Sequence, residues 1–557
     1  MNILSILLKY LEPRRQAFEA SADDPLKAQE QTLLKYLWRN KDTEFGRKYN
    51  FDAIRSIDDY RRAVPINSYE TIRAYVDKIA GGAQNILTKD KVEFFGVTSG
   101  TTNKPKLIPT TNYSEKIKDS LLNLWSYYIT RDHPGVLDGK ILAIVSPEIE
   151  GSTEAGIPFG AESGYSYRTL PKPITGLYSL PYQVFEIENY ESRHYAILRI
   201  SIEQNISTIA TLNPNTIVLL MRKIEKWQQL IIDDIATGKL SGEFEIKPDI
   251  RAILERSFKP NPGRADELEK ILKTTGRLLP KHFWLNIKLI ECWQGGMMKL
   301  YIKELEDYFG PIPKRDIGCV STEARTSIPI KDDTASGVLA IRTNFYEFIP
   351  REGAAKPDRR TLLCTELREG EEYFIIVTTA GGLYRYNIDD IIKITGFFKR
   401  TPLIEFVQKG LGATSLAGEK LYESHVNEAI TSVMEKEKVR LEFFCAVAKP
   451  MEGPRYAFLA EFSPPAPADK DILRILGSIE EALRRQNREY DYVRQAQLLG
   501  SPVMKILRLG SFENYRIRRI TEGAKEGQFK APELTADCDF ENNFAIEKIV
   551  HLPDGKI

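Results

Sequence analysis

Segments with helical spacing alternate with short β-prone runs along most of this sequence. Three runs rich in β-branched and other apolar residues cover residues 140–145, 287–292 and 374–378. Alternation of helices and strands is typical of folds in which helices pack on a sheet. The sequence therefore favours an α/β architecture.

Two helix starts are marked by an Asp or Asn followed by proline. The Asp or Asn side chain caps the first backbone N–H groups, and proline suits the first helical position. The two pairs are Asp24-Pro25, before a helix predicted to end near residue 38, and Asn213-Pro214, before a helical segment over residues 216–235.

The domain organisation follows from length and from a change of pattern. A chain of 557 residues is too long for one hydrophobic core. The segment 407–414 carries Gly410 and Gly412, whose backbone freedom suits a hinge. We predict a large domain over residues 1–408 and a smaller, mobile α+β domain over residues 409–557. The elements predicted there are a helix at 421–436, strands at 440–448 and 455–462, a helix at 470–488 and a strand at 503–509.

Charge and cysteine usage argue against several classes of protein. Lys and Arg number 78 against 77 Asp and Glu, a formal charge of +1, whereas nucleic-acid-binding proteins usually have a basic excess. The five cysteines never form a CxxC pair, and no His or Cys spacing is typical of zinc. We therefore expect no nucleic-acid partner, no disulfide framework, no zinc site and a cytoplasmic location.

The N-terminal apolar stretch follows helical spacing from Ile3 to Leu11. It is too short to span a bilayer and lacks the features of a signal peptide. We expect a helix that docks on the core, with no membrane span. An anchor on a membrane surface is the alternative.

The strongest chemical signal is a hydroxyl-rich segment that follows a β-prone run and precedes Lys104 and Lys106. The members of this segment are Thr98, Ser99, Gly100, Thr101 and Thr102. Hydroxyls, a flexible backbone and lysines can surround phosphate oxygens with donors and positive charge. The spacing is not that of a Walker A loop. The segment predicts a phosphate-binding loop, and a solvated turn is the alternative.

A second motif ends in Ser321, Thr322 and Glu323, directly after a predicted strand. A carboxylate beside hydroxyls could hold a Mg²⁺ ion that is bound to phosphate. An ordinary turn at the end of a strand would look the same in the sequence.

A third motif places Asp389 and Asp390 in an apolar, strand-like run. Buried carboxylates are costly unless they accept hydrogen bonds, and ribose hydroxyls would supply these. A salt bridge to Arg385 is the alternative.

The fourth segment, residues 527–532, contains a lone lysine, Lys530, which would mean nothing by itself.

Together and in this order, the four segments resemble the auxin-responsive acyl-acid amido synthetase family, within the adenylate-forming superfamily. The resemblance spans nearly the whole chain, with supporting similarity at residues 42–47, 295–301 and 418–421. It implies a large N-terminal adenylate-forming domain of mixed sheets and helices and a smaller mobile α+β domain that carries Lys530. The hydroxyl-rich loop and the Leu-Tyr-Arg-Tyr block at 383–386 are the specific pieces.

The resemblance also implies roles for individual residues. The segment from Thr98 to Thr102 would form the ATP phosphate loop. Ser321, Thr322 and Glu323 would contact the nucleotide and its metal, with Glu323 as the Mg²⁺ ligand. Asp390 would bind ribose, and Lys530 would reach the reacting phosphate and carboxylate. Gly295 and Gly296 would fall in a loop beside the nucleotide and acyl pocket.

Three positions depart from the family pattern. Cys319 stands where an aromatic residue is common, so a stacking partner for adenine is either missing or supplied from elsewhere. Asp389 replaces the usual glycine before Asp390, which raises the question of which aspartate binds ribose. Lys409 stands where arginine is frequent.

The activity that the resemblance implies is a ligase reaction with ATP and Mg²⁺. A carboxylic acid would be adenylated, and the amine of an amino acid would then displace AMP to give an amide. One alternative is a thiol acceptor such as coenzyme A. Another is a nucleotide-binding protein without turnover. The sequence names neither the acid nor the acceptor, and it does not give the oligomeric state.

Overall fold

The structure is a computed structural model. It describes residues 3–98, 106–146, 148–170, 172–295, 298–352, 360–410, 413–414, 416–417, 419, 421–450, 453–495, 499–524 and 529–552. The chain divides into two compact units. The first comprises Met1–Gly295 and Tyr301–Phe406, and the second comprises Gly296–Leu300 and Val407–Ile557.

Helices account for much of the chain up to residue 309. The helices are α1 (Ile3–Ser21), α2 (Pro25–Arg39), α3 (Glu44–Lys48), α4 (Ile57–Ala63), α5 (Tyr69–Ala80), α6 (Asn112–Asp132), α7 (Glu162–Arg168), α8 (Lys172–Thr175), α9 (Tyr190–Ser201), α10 (Pro214–Thr237), α11 (Pro248–Glu255), α12 (Pro262–Thr275), α13 (Pro280–Phe283) and α14 (Met298–Phe309). In the described part of the chain, none of the helices is both long and apolar enough to cross a membrane.

Both predicted helix caps are confirmed. The Asp24 side chain accepts a hydrogen bond from the backbone N–H of Lys27 at 3.3 Å, and α2 begins at Pro25. The Asn213 side chain accepts from the N–H of Asn215 at 2.9 Å, and α10 begins at Pro214. The N-terminal stretch is also helical, and Leu11 in it is buried.

Among the described residues up to position 410, the strands form three sheets. The strands are β1 (Val92–Thr98), β2 (Lys106–Thr111), β3 (Lys140–Ile144), β4 (Ile149–Ser152), β5 (Pro158–Gly160), β6 (Ile206–Thr211), β7 (Leu289–Glu291), β8 (Lys314–Arg315), β9 (Ser327–Ile328), β10 (Gly337–Leu339), β11 (Phe345–Pro350), β12 (Glu372–Thr378), β13 (Tyr386–Phe398) and β14 (Thr401–Lys409). The three runs predicted as strands from the sequence fall on β3, β7 and β12.

The sheets differ in strand direction. One has the order β2-β1-β5-β4, and a larger one has the order β11-β12-β13-β14-β10-β9. The third, β3-β6-β7-β8, is parallel throughout. Helices cross over between its strands, so the predicted α/β architecture is confirmed. Ligands of parallel sheets usually bind beyond the carboxyl ends of the strands, and the segment 316–323 follows β8 at that edge.

Two large clusters of buried side chains form most of the core that the structure describes in the first unit. One joins the N-terminal helices to the large sheet and includes Phe45, Tyr384 and Phe345. The other joins the parallel sheet to α9, α10 and α12, through residues such as Ile209 and Ile290. The two clusters hold the sheets whose ends carry the predicted motifs.

The second unit combines helices and strands in an α+β arrangement, as the sequence predicted. Its elements are β15 (Ala413–Thr414), β16 (Leu421–Tyr422), α15 (Glu423–Glu437), β17 (Leu441–Lys449), β18 (Arg455–Phe462), α16 (Asp469–Gln486), α17 (Arg488–Gln495), β19 (Val503–Leu507), α18 (Ser511–Thr521), β20 (Leu534–Thr535) and β21 (Ile546–His551). Five of the strands form the sheet β20-β17-β18-β19-β21. Helices α15 and α16 cover one of its faces, where Ile430 and Leu476 are fully buried.

Candidate nucleotide site

The predicted phosphate loop connects two antiparallel strands. Thr98, the last residue of β1, pairs with Lys106, the first residue of β2. Ser99, Gly100, Thr101, Thr102 and Lys104 lie in the connection, outside the described residues. The Lys106 ammonium lies 5.8 Å from the centre of the Tyr69 ring, and the Tyr69 hydroxyl accepts a hydrogen bond from the N–H of Leu107 at 2.8 Å. The base of the hairpin is thus anchored on α5.

The second motif follows β8 at the carboxyl edge of the parallel sheet. The Asp316 carboxylate accepts hydrogen bonds from the N–H of Gln294 at 2.7 Å and from the N–H of Gly318 at 2.6 Å. These two bonds tie the segments after β7 and β8 together. Burial raises the pKa of Asp316 to about 7, against the effect of the two backbone donors.

Ser321, Thr322 and Glu323 form the tip of a tight turn. The N–H of Ser321 donates to the carbonyl of Ala324 at 2.9 Å, and the Ser321 hydroxyl accepts from the N–H of Ala324 at 3.2 Å. Thr322 and Glu323 are half-buried. The segment is therefore a strand-end turn, and a role in binding is compatible with that geometry.

Thr322 joins the second motif to the first. A Cβ atom placed on Gly96 would lie 2.4 Å from Cγ2 of Thr322. Gly96 is in β1, two residues before Thr98. The methyl group of Thr322 thus occupies the space that a side chain at residue 96 would need. The turn at 321–324 packs directly on the strand that leads into the predicted phosphate loop.

The third motif lies on a bulge in β13. Phe374 of β12 pairs with Ile391, but Ile376 pairs with Asn387, so β13 has extra residues between these pairs. Asp389 lies in the bulge with φ at +60°, in the left-handed region. Glycine takes this conformation without steric cost, and aspartate tolerates it better than most residues do. Asp390 is 9% exposed.

The salt bridge considered as an alternative for the aspartates is formed elsewhere. The Arg385 guanidinium donates to both carboxylate oxygens of Glu347 at 2.8 Å. It also donates to the carbonyl of Val64 at 2.7 Å. Arg385 therefore holds the large sheet to the segment after α4.

Electrostatics place Glu323 and Asp390 in one neighbourhood. Burial raises the pKa of Tyr386, and the charges of Glu323 and Asp390 raise it further. Burial likewise raises the pKa of the Cys319 thiol to about 12, with contributions from Asp316 and Asp390. The second and third motifs therefore lie close enough for their charges to act on the same residues. Cys319 has no aromatic ring and cannot stack on an adenine base.

The carboxylates at this site fit Mg²⁺ only in combination with a phosphate ligand. Within the described residues, no group of three or more His, Cys, Asp or Glu side chains could hold a metal by itself. Mg²⁺ commonly binds through one or two carboxylates together with substrate phosphates and water. Glu323 alone at the tip of its turn suits that second arrangement.

A cluster of charges that the sequence did not indicate lies behind the turn. Thr322, Glu323 and Arg325 line one side of a cleft whose other side is α6, including Lys118. Lys118 forms ion pairs with Glu162 and, at 3.1 Å, with Glu115. Glu162 is 44 residues from Lys118 in the sequence. No local pattern could have revealed the pairing.

Arg325 adds a second positive charge to this cluster. Burial lowers the pKa of its guanidinium, and the charges of Glu162 and Glu115 oppose that effect. The cleft therefore presents both Lys118 and Arg325 beside Glu323.

Lys530 belongs to the second unit. Its side chain is 45% exposed, and its ammonium lies 3.9 Å from a carboxylate oxygen of Glu533. The structure therefore brings together Thr98, Thr322, Glu323 and Asp390 in the first unit and describes Lys530 within its own unit.

Comparison with known proteins covers most of the chain. Residues 14–314 match the GH3 family N-terminal domain, residues 337–409 the GH3 family central domain and residues 423–538 the GH3 family C-terminal domain.

Individual relatives are similar over nearly their whole length. A jasmonoyl–L-amino acid synthetase of Nicotiana attenuata, JAR4, is 26% identical over 93% of this chain and 92% of its own length. A probable indole-3-acetic acid-amido synthetase of Arabidopsis thaliana, GH3.1, is 24% identical over 95% and 91%. The solved structure of the GH3.15 acyl acid amido synthetase superposes with a TM-score of 0.84 over 97% of both chains, at 21% identity. This last similarity is one of fold.

Proposed function

The chain belongs to the GH3 family, and on that premise we propose that it is an ATP-dependent ligase that joins a carboxylic acid to an amino acid. It adenylates the acid and then transfers the acyl group to the amine. The observation that carries this proposal is the packing of Thr322 on Gly96, which joins the second motif to the strand before the hydroxyl-rich loop.

In the first half-reaction, a carboxylate oxygen of the acid attacks the α-phosphorus of ATP. The bond from that phosphorus to the oxygen shared with the β-phosphate breaks, and pyrophosphate leaves with the electron pair. Such transfers depend on positioning and on neutralising charge more than on a protein nucleophile. The hydroxyls of Thr98, Ser99, Thr101 and Thr102 donate to phosphate oxygens. Asp390 accepts from the ribose hydroxyls.

Glu323 would hold Mg²⁺, which when bound neutralises the phosphate charge. Lys530 supplies an ammonium to the charge that develops between the carboxylate and the α-phosphate. Its side chain is 45% exposed, which supports this role. The roles of Thr98, Ser99, Gly100, Thr101, Thr102 and Ser321 rest on the family resemblance, and Ser321 contributes through the turn that it closes.

In the second half-reaction, the amine of an amino acid attacks the acyl carbon of the adenylate. The bond from that carbon to the AMP oxygen breaks, the nitrogen loses a proton, and an amide and AMP are formed. Relatives are named as jasmonoyl– and indole-3-acetic acid–amino acid synthetases. These names support a hydrophobic organic acid and an amino acid as the substrates of this chain.

The proposal includes a domain boundary at 408/409. It also includes rotation about residues 407–414 between the two half-reactions.

The five free cysteines favour a reducing, cytoplasmic compartment.

The decisive experiment is acid-dependent exchange of labelled pyrophosphate into ATP, with a panel of aromatic and aliphatic acids. Exchange with at least one acid is the expected result, and its absence with every acid would leave a nucleotide-binding protein without turnover. Products are then analysed with a mixture of amino acids and, separately, with coenzyme A, which identifies the acceptor. A thioester in place of an amide would overturn the amino acid assignment.

A further inference from the structure

Lys530 lies against a buried carboxylate in its own unit. Its ammonium is 3.9 Å from Oε1 of Glu533, whose side chain is only 3% exposed. The carbonyl of Glu533 accepts a hydrogen bond from the N–H of Ala446 at 2.8 Å, which fixes this segment to β17. The lysine is therefore next to a rigidly placed acid.

A second carboxylate faces the same place from α15. Oε1 of Glu423, the first residue of that helix, accepts a hydrogen bond from the N–H of Glu533 at 3.4 Å. One turn further along, the Asn427 side chain donates to Oε2 of Glu533. Residues four apart share one helix face. Glu423 and Asn427 thus form one wall around Glu533, and we call Glu423 and Glu533 the acid pair.

Both members of the acid pair have pKa values above the ordinary range of a glutamate. Burial raises the pKa of Glu533 to about 7, while Lys530 lowers it and Glu423 raises it. Burial also raises the pKa of Glu423, again opposed by Lys530. On β17, burial raises the pKa of the Cys445 thiol, and the charges of Glu423 and Glu533 raise it further. Lys530 is the cation whose charge favours ionisation of both members of the pair.

A purely structural ion pair does not fit this arrangement well. Two buried carboxyls are costly to ionise, and a stabilising partner would be held with them out of solvent. Lys530 is instead 45% exposed, so much of its side chain is in contact with solvent. An electrostatic effect of the two buried acids on Lys530 accounts for the free-energy cost of burying them.

We propose that Glu533 and Glu423 are positioning residues for Lys530, which retain its ammonium when they are ionised and release it when the pair takes up a proton. The proposal rests on the proposed function, in which the Lys530 ammonium acts at the carboxylate and the α-phosphate. It makes adenylation sensitive to pH near neutrality.

The direction of the pH effect follows from the protonation state of Glu533. Below about pH 7 the acid is protonated and the lysine is released. Above that pH the ionised pair holds the lysine and competes with the substrate. A partly exposed ion pair is worth up to about 1 kcal/mol, or about fivefold in an equilibrium.

The test compares Glu533→Gln with wild type in pyrophosphate exchange from pH 6 to 8.5. Glutamine keeps the shape and the bond to Asn427 but carries no charge. The ratio of variant to wild-type rate is expected to rise about two- to fivefold across this range, because titration of the substrates cancels in the ratio. Glu423→Gln should shift the ratio in the same direction. Glu481→Gln, at an exposed position in α16, is the control and should give a flat ratio.

A second measurement does not need catalysis. The rate of acetylation of Lys530 by acetic anhydride at pH 8.5, followed by peptide mass spectrometry, should rise about two- to fivefold in Glu533→Gln relative to the exposed Lys470. If wild type shows no exchange with any acid, the proposed function fails while the acetylation result still decides the role of the acid pair. A flat rate ratio together with unchanged acetylation, in a variant that melts like wild type, would overturn the proposal.

Discussion

Thr322 and Gly96 are in such close contact that a single added carbon on the glycine would lie 2.4 Å from the threonine methyl. Gly96→Ala should therefore push the turn away from β1, because the β-branched Thr322 side chain has little freedom to rotate. We expect a loss of about 1–3 kcal/mol in unfolding free energy, typical of overpacking, and at least a tenfold loss of exchange activity. Thermal unfolding and pyrophosphate exchange measure the two effects.

A second substitution at Thr322 should relieve the clash that Gly96→Ala creates. Thr322→Ser removes the methyl and keeps the hydroxyl, so the double variant Gly96→Ala/Thr322→Ser should regain most of the stability lost by Gly96→Ala. Gly242→Ala, where an added Cβ meets nothing within 4 Å, is the control. If the double variant is no better than Gly96→Ala, the clash with Thr322 is not the cause.

The bulge in β13 separates the roles of the two adjacent aspartates. Asp389 has φ at +60°, which glycine adopts more easily, so Asp389→Gly should leave stability and the KM for ATP near wild type. Asp390→Ala should raise the KM for ATP at least tenfold, since the ribose would lose its acceptor. Steady-state kinetics of the two variants gives the ranking. A larger KM effect at residue 389 would mean that Asp389 binds the ribose.

Glu323→Gln tests the metal ligand. The amide has the size of the carboxylate but lacks the charge that attracts Mg²⁺, so the Mg²⁺ concentration for half-maximal exchange should rise by about tenfold or more. The melting temperature should stay close to that of wild type. Glu369→Gln, an exposed substitution elsewhere in the same unit, should leave both unchanged. An unaltered Mg²⁺ dependence in Glu323→Gln would remove this residue from the site.

Lys530→Ala tests the proposed catalytic ammonium. Removing one preorganised donor to developing charge typically costs about 10²–10³ in rate. We expect that loss in pyrophosphate exchange and a much smaller one in aminolysis of a chemically supplied acyl-adenylate. Lys548→Ala is a matched control, since Lys548 has the same 45% exposure in the same unit. Exchange within about twofold of wild type would make Lys530 an ordinary surface residue.

Local signals in the sequence predicted the elements better than the contacts between them. Asp24 and Asn213 cap helices through hydrogen bonds to residues two or three positions away, and such a pattern is visible in a short window. The bulge at Asp389 depends on how β13 pairs with β12, and nothing in the run of residues itself indicates it.

In the candidate site, too, the residue types were predictable from the sequence and the long-range contacts were not. Its hydroxyls and carboxylates could be named from motif and resemblance, because their residue types carry the chemistry. The ion pair between Lys118 and Glu162 and the contact of Glu423 with Glu533 could not, since these partners are 44 and 110 residues apart. Such contacts are set by packing, for which the sequence alone gives no distance.

A final prediction concerns Glu291, the last residue of β7. Burial raises its pKa from about 4.5 to about 8, with Arg315 opposing the shift. Between these two values the folded protein keeps the proton and the unfolded chain releases it, so stability falls as pH rises through this range and is level above it. Glu291→Gln cannot ionise and avoids this loss. Its melting temperature relative to wild type should therefore rise by several degrees from pH 5 to pH 8.5, measured by calorimetry, while exposed Glu154→Gln shows no such trend. A constant difference would mean that Glu291 is already ionised in the folded protein at pH 5.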